Sequence, residues 1–270
     1  MLDSSIYRIA PDSDLDWADH DPDAKTGFEG GKKEAKARLP ELTIRLTELQ
    51  RRLWAESKQS LLIILQATDT AGKDGTIRHV FRGVNPQGVH VRGFGKPSVW
   101  DLQHDYLWRV HAHTPEAGAI TVFNRSHYED VLVVRVHELV AKERWSKRYH
   151  HIREFERLLA DEGTRIVKIF LNISKEEQAD RLRARLEEPD KSWKFHKSDL
   201  ADRELWDDFR MAYKEAIERT STDFAPWYVV PANRKWYRNL VVSNILIDIL
   251  EEMNPKYPPP ERGLGEVSIT

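Results

Sequence analysis

Five consecutive aliphatic residues, Leu61-Leu62-Ile63-Ile64-Leu65, run almost directly into Asp69-Thr70-Ala71-Gly72-Lys73-Asp74-Gly75-Thr76. An unbroken apolar run suits a strand covered on both faces, the condition of a parallel sheet rather than a half-solvated antiparallel one. Such strands require helices over both faces, joined by right-handed crossovers. The rest of the chain repeats the pattern. Leu39, Leu42, Leu46, Leu49 and Leu53 recur at steps of three and four, the spacing of an amphipathic helix. Further strand candidates are 89–94, 120–123, 166–173 and 227–230. Stretches near 76–84, 98–113, 142–161, 174–187, 202–219 and 235–253 predict helices. The fold class expected is therefore α/β, a central parallel sheet with helices on both faces. At 270 residues the chain can bury one large core, and no Pro/Gly/Ser-rich linker divides it. A single domain is expected over 36–255, with an N-terminal arm at 1–35 and a C-terminal tail at 256–270. In open sheets of this kind ligands bind beyond the carboxyl ends of the strands, so the loops there are where chemistry is expected.

Lys and Arg number 42 against 44 Asp and Glu, a net charge of −2, which argues against a duplex-binding protein driven by overall charge. Cysteine is absent, which excludes disulfides, thiolate metal sites and cysteine nucleophiles. The start, MLDSSIYRIAPDSD, has neither a basic n-region nor an apolar h-region, and no apolar run approaches bilayer length. The expectation is a cytoplasmic protein with neither nucleic-acid nor membrane partner. Asp12, Asp14 and Asp16 are spaced like the start of a calcium loop, but Trp17 and Asp23 stand where glycine and glutamate are needed. An arm lying on the domain or on a neighbouring subunit is expected instead.

Strand, glycine-bearing turn, lysine, helix is a physical recipe for holding phosphate. Small residues let backbone N–H groups approach oxyanions, the helix N-terminus adds a favourable dipole, and lysine adds a mobile charge. Thr70, Ala71, Gly72, Lys73, Asp74, Gly75 and Thr76 are the candidates for this role. The match to G-x-x-x-x-G-K-[ST] is imperfect: Ala67 stands at the first glycine and Asp74 replaces the metal-binding hydroxyl. Asp69, inside the loop, is the alternative metal ligand. The bland alternative is a tight strand–helix turn with incidental charges.

A second group follows the strand at 120–123, in Asn124-Arg125-Ser126-His127-Tyr128-Glu129-Asp130. In such folds this strand carries an acidic residue toward magnesium. Here the tip is Asn124, with Glu129 and Asp130 close behind. Arg125 is suited to neutralising a transferring phosphoryl group, or else to a structural pair with a carboxylate. Lys96 follows the strand at 89–94 and is a phosphate candidate. Arg109, in the helix expected over 98–113, is assigned either to the nucleotide or to a salt bridge. His111 and His113 are two apart, point to different helix faces, and form no metal pair. Ser174-Lys175-Glu176-Glu177 reads as a capping box opening a helix, with Arg181 and Arg185 on one face and Lys191 and Lys194 in the loop beyond Pro189. These cations form either a lid over phosphate or a solvated charged face.

The segments DTAGKDGTI, FNRSHYEDV and RLEEPDKSWKF, in this order, resemble the polyphosphate kinase 2 family, and the similarity runs from about residue 28 to residue 255. The form Asn-Arg-Ser-His-Tyr-Glu-Asp is similar to the class III branch, which phosphorylates both AMP and ADP. Another branch has aspartate in place of Asn124 and asparagine in place of Glu129. The resemblance implies a thymidylate-kinase-like P-loop kinase fold with a helical lid at about 181–198. It implies Mg²⁺ (Mn²⁺ as a substitute) and a dimer or tetramer of identical chains. The implied reaction moves phosphate between inorganic polyphosphate and adenine nucleotides, with guanine nucleotides as further candidates. Asp69 and Lys73 would then sit at phosphates and metal, Arg125 would be a phosphate ligand, and Glu129 would tune metal or acceptor, with Asn124 a further metal candidate. The alternatives are an ATP-dependent nucleoside monophosphate kinase and a sensor that binds without turnover.

Overall fold

β2 (Ser60–Ala67) is the centre of the sheet in the computed structural model, which describes residues 2–263. All eight of its residues are buried, because strands lie on both sides and helices over both faces. The remaining strands are β1 (Arg8–Ile9), β3 (Val89–Gly93), β4 (Ile120–Asn124), β5 (Thr164–Asn172) and β6 (Trp227–Pro231), in the order β1-β6-β5-β2-β4-β3. Every pairing is parallel except that of β1 with β6. Leu65 pairs with Asn124 on one side and Ile169 on the other, so the carboxyl ends of the three inner strands finish together.

The helices of eight or more residues are α1 (Lys32–Glu56), α2 (Lys73–Val80), α3 (Arg148–Asp161), α4 (Lys175–Glu187), α5 (Lys197–Glu204), α6 (Trp206–Thr220) and α7 (Lys235–Met253) among the described residues. The period-two alternation of β2 sorts them into two cores. Leu61, Ile63 and Leu65 meet Leu46, Leu49 and Leu246 from α1 and α7. Leu62 and Ile64 meet Ile152 and Ile217 from α3 and α6. Each fully buried Leu or Ile contributes about 1.5–3 kcal/mol relative to exposure. The expected α/β class and layered arrangement are what the structure has.

Three expectations need correction. No helix spans 98–113: it is replaced by a 3₁₀ turn at Asp101–Gln103 and a four-residue helix at Trp108–His111. Asp101 Oδ2 accepts from the Ser98 N–H and hydroxyl at 2.8 Å each, and Asp105 Oδ1 accepts from the Leu107 N–H at 2.9 Å. Such local side-chain bonds offer the backbone an alternative to the helical ladder. Arg109 therefore shares no helix with Leu102 or Tyr106. The helix expected over 142–161 is interrupted between Trp145 and Arg148, and the one over 202–219 is the end of α5 followed by α6, with Leu205 between them.

The N-terminal arm lies on its own domain. β1 pairs with β6, Asp14 bridges to Lys214 at 2.5 Å, and Asp16 caps the turn Trp17–Asp19. Asp14 and Asp16 are thus used separately. Of the tail expected at 256–270, residues 264–270 lie outside the described residues.

Candidate active site

Where β2 ends at Ala67 the chain turns through 68–72 into α2. Thr70 and Gly72 take left-handed backbone angles, φ +65° and +98°. Lys73 reaches back so that its ammonium donates to the Ala67 carbonyl at 3.1 Å. Burial, and then Arg125, lowers its pKa from the usual value, while Asp69, Glu129 and Asp74 pull the other way. Thr70, Gly72, Lys73, Asp74 and Gly75 line an open cavity of about 640 Å³ at the carboxyl ends of the strands. Ala71 and Thr76 do not: both are buried, and the Thr76 hydroxyl donates back to the Gly72 carbonyl at 3.1 Å.

The tip of β4 supplies the opposite wall. Asn124 Nδ2 donates to Asp74 Oδ1 at 2.8 Å, which ties the strand tip to the start of α2. Arg125, with φ +63°, donates through Nη2 to Asp69 Oδ1 at 3.1 Å. Burial works against the Arg125 charge, and the Glu129 and Asp69 carboxylates more than offset it, raising its pKa. A non-glycine residue held left-handed stores strain, which is a feature of sites where the surroundings fix geometry. Glu129 faces a smaller enclosure of about 50 Å³, which shares Asp69 and Arg125 with the main cavity and is closed by Asp202, Trp206 and Phe209. Burial pushes the Glu129 carboxyl above its usual pKa against the pull of Arg125 and Lys73. Asp130 instead pairs with Arg148 at 2.7 Å, outside both spaces.

The basic segment divides. Arg185 and Lys194 line the main cavity, with Lys194 Nζ donating to Asp74 Oδ2 at 3.1 Å. Arg185 Nη1 lies 3.5 Å from Asp199 Oδ2. Lys191 is paired with Glu188, exposed and away from the lining. Arg181 departs most from expectation. It is buried, with Nε on Glu177 at 2.7 Å, Nη1 on the Thr70 and Ala71 carbonyls at 3.0 and 2.8 Å, and Nη2 on the Ala232 and Asn233 carbonyls at 2.7 and 3.0 Å. Its fork braces the phosphate loop from behind rather than facing the cavity. Lys96 is exposed beyond the cavity lining. Arg109 likewise misses the lining: it donates to the Gly95 carbonyl at 3.0 Å and lies over Phe94, fixing the loop after β3.

A buried group under the β4 turn has no counterpart among the expected site residues. Lys168, on β5, donates to Glu156 at 2.5 Å and to the Tyr128 hydroxyl at 3.0 Å, and that hydroxyl donates to Glu156 at 2.8 Å. His127 Nε2 lies 3.4 Å from the same carboxylate. This network holds the turn that carries Glu129. Its sequence signal was Lys168 itself, a cation inside the apolar run 166–173.

No group of three or more His, Asp or Glu side chains among the described residues could hold an ion by itself. Magnesium does not need one, since it takes one or two carboxylates together with substrate phosphates and water. Asp69 fits that pattern: it lines both spaces, and the buried hydroxyls of Thr68 and Thr70 beside it have no hydrogen-bond partner. The Asn124 amide nitrogen is committed to Asp74, which leaves its oxygen as the available ligand atom.

The chain matches the family model described as Polyphosphate kinase 2 over residues 29–258. It is 55% identical over 263 residues to the AMP/ADP-polyphosphate phosphotransferase of Meiothermus ruber, covering 97% of this chain and 98% of that one. It is 47% identical to the ADP-polyphosphate phosphotransferase of Rhodopseudomonas palustris, over 79% of this chain and 78% of the other. The crystal structure of polyphosphate kinase 2 from Arthrobacter aurescens TC1 superposes with a TM-score of 0.94 at 43% identity, covering 97% of this chain and 94% of that one. A P-loop kinase fold accounts for both the sheet and the loop at its carboxyl edge.

Proposed function

This chain belongs to the polyphosphate kinase 2 family, and we propose that it phosphorylates both AMP and ADP from inorganic polyphosphate, with Mg²⁺ as the metal. It is an enzyme that transfers phosphate between polyphosphate and nucleotides. The observation that carries the finer reading is the convergence of Lys73, Arg125, Arg185 and Lys194 on one open cavity, with Asp69 in its wall. These four, among the five lysines and arginines that line the cavity, come from three separate parts of the chain and suit a donor with a charge on every phosphate.

In the reaction, an oxygen of the nucleotide's terminal phosphate attacks the terminal phosphorus of polyphosphate. The bond from that phosphorus to its bridging oxygen breaks, and the shortened chain leaves with the electron pair. No side-chain nucleophile is required, so catalysis rests on alignment and charge neutralisation. Lys73 and the Gly72 N–H hold phosphate oxygens at the loop. Arg125 neutralises the group in transfer, oriented by its bond to Asp69. Arg185 and Lys194 line the cavity mouth, and closing the segment that carries them over bound phosphate would exclude water and strengthen each charge interaction inside. Asp69, with its neighbouring loop hydroxyls, would hold the metal, whose charge would neutralise oxygens of donor and acceptor. Glu129, lining the smaller space that shares Asp69 and Arg125 with the cavity, would tune the metal or the acceptor and so set the choice of acceptor. Assembly into a dimer or tetramer, and use of guanine nucleotides, belong to the same proposal.

One incubation tests it: purified protein, Mg²⁺, AMP and polyphosphate, with no ATP added. ADP should appear first and ATP after it, and a chelator should stop both until Mg²⁺ is restored. Phosphorylation of AMP only when ATP is supplied would instead identify an ATP-dependent nucleoside monophosphate kinase.

A further inference from the structure

Two arginines lie beneath the phosphate loop, and one of them has no carboxylate. Arg181 is paired with Glu177 at 2.7 Å. Arg238, in the first turns of α7, is 2% exposed and takes part in no salt bridge among the described residues. Its Nε and Nη2 donate to Asn239 Oδ1 at 3.2 and 2.9 Å, and its Nη1 donates to the Ala71 carbonyl at 3.1 Å. A full positive charge is thus buried on neutral acceptors alone. Burial, and then Arg181, draws its pKa down to about 10. A buried charge without a partner is costly, and an apolar side chain of similar volume would commonly be at least as stable.

The position of the guanidinium accounts for its retention. A Cβ built on Gly72 would lie 2.2 Å from Nη1, and one on Gly75 would lie 3.6 Å from Nη2. Both glycines line the cavity, so only backbone separates the charge from the space in front. The Ala71 carbonyl accepts from both arginines behind the loop. Because a trans peptide plane sets its C=O and N–H in opposite directions, the Gly72 N–H points away from the arginines, to the cavity side. Charge acts strongly across such a gap, since little water intervenes to screen it.

We propose that Arg238 is a positioning residue for phosphate, fixing the Ala71–Gly72 peptide with its N–H toward the cavity and carrying an unpaired charge that a bound phosphate chain balances. The inference rests on the reading of that cavity as the phosphate site. It requires no contact between Arg238 and substrate.

Tripolyphosphate binding by calorimetry, with thermal melting in its absence and presence, tests this on the full chain and on Arg238→Gln, Arg238→Met and Arg238→Lys. The neutral variants should bind tripolyphosphate roughly tenfold more weakly, the scale of one charge-assisted interaction. Arg238→Lys should recover part of the affinity. Without anion, Arg238→Met should melt at or above the parent temperature, and its melting should rise less when anion is added. Parent affinity in Arg238→Gln, or equal loss in the lysine and glutamine variants, would overturn the proposal and leave Arg238 a structural brace. Should Arg238→Met fail to fold, the lysine and glutamine pair decides alone. Absence of tripolyphosphate binding by the parent protein is a separate result, and it would sink the reading of the cavity itself.

Discussion

Lys73 rests against the Ala67 carbonyl at the point where β2 stops, and it lines the cavity. Its ammonium is free to exchange that carbonyl for a phosphate oxygen as charge develops. Lys73→Ala should lower kcat by about a hundred- to a thousandfold, the range for one lost oxyanion donor, with a circular dichroism spectrum unchanged from the parent. Near-parent turnover in the folded variant would remove Lys73 from the chemistry. Glu129 lines the smaller enclosure, which it shares with Asp69 and Arg125. Glu129→Asn should change the ratio of AMP to ADP turnover; equal loss on both acceptors would indicate a general metal role. At this scale the sequence was informative wherever a residue belonged to a contiguous motif. Asp69, Lys73, Asn124 and Arg125 are brought together by the loops that carried the motifs. Arg181 and Arg238 were opaque for one reason: helical spacing says which residues share a face, not what that face meets.

The segment between α4 and α5 carries its cations unequally. Lys194 is hydrogen-bonded to Asp74 across the cavity mouth, whereas Lys191 is spent on Glu188 along its own turn. Lys194→Ala should therefore raise the KM for polyphosphate more than Lys191→Ala does, with the greater effect on longer chains. The difference should shrink at high salt, because exposed charges are screened beyond about 8 Å at physiological ionic strength. Equal effects of the two substitutions, or a lowered melting temperature with unchanged KM, would show these lysines to be surface charges only. The elements themselves were legible to differing degrees. β2, β4 and β5 announce themselves because burial on both faces leaves no polar alternation to confuse them. The segment 98–113 misleads because Ser98, Asp101 and Asp105 satisfy the backbone locally, which apolar spacing does not register. β1 is two residues long, too short for any period to show.

Across the whole molecule, a charge pair that no solvent reaches, Lys168 with Glu156, pins helix α3 to strand β5. Burial alone would raise the Glu156 carboxyl, but Lys168 and His127 outweigh it and hold it below its ordinary value of 4.5. A carboxyl with a depressed folded pKa adds stability above the unfolded pKa and loses it as pH falls through the folded one. Stability should therefore fall with acid below about pH 4.5 in part through this group. Glu156→Gln should remove that component and, by stranding the Lys168 ammonium, cost about 3–5 kcal/mol in urea unfolding at pH 7. A loss under about 1 kcal/mol would mean that the network carries little of the fold's stability. Another long-range tie is β1, whose Arg8 faces Tyr228 on β6. On the ribosome, residue 8 emerges long before residue 228. At bacterial and eukaryotic elongation rates the interval is roughly ten to forty-five seconds. For that time β1 has no strand to pair with, because β6 does not yet exist. When β6 does appear, its free edge meets a segment of the same chain already waiting, rather than the edge of a neighbouring nascent chain. Residues 8 and 9, made early, are thus placed late, and their pairing covers the β6 edge with a segment of the same chain.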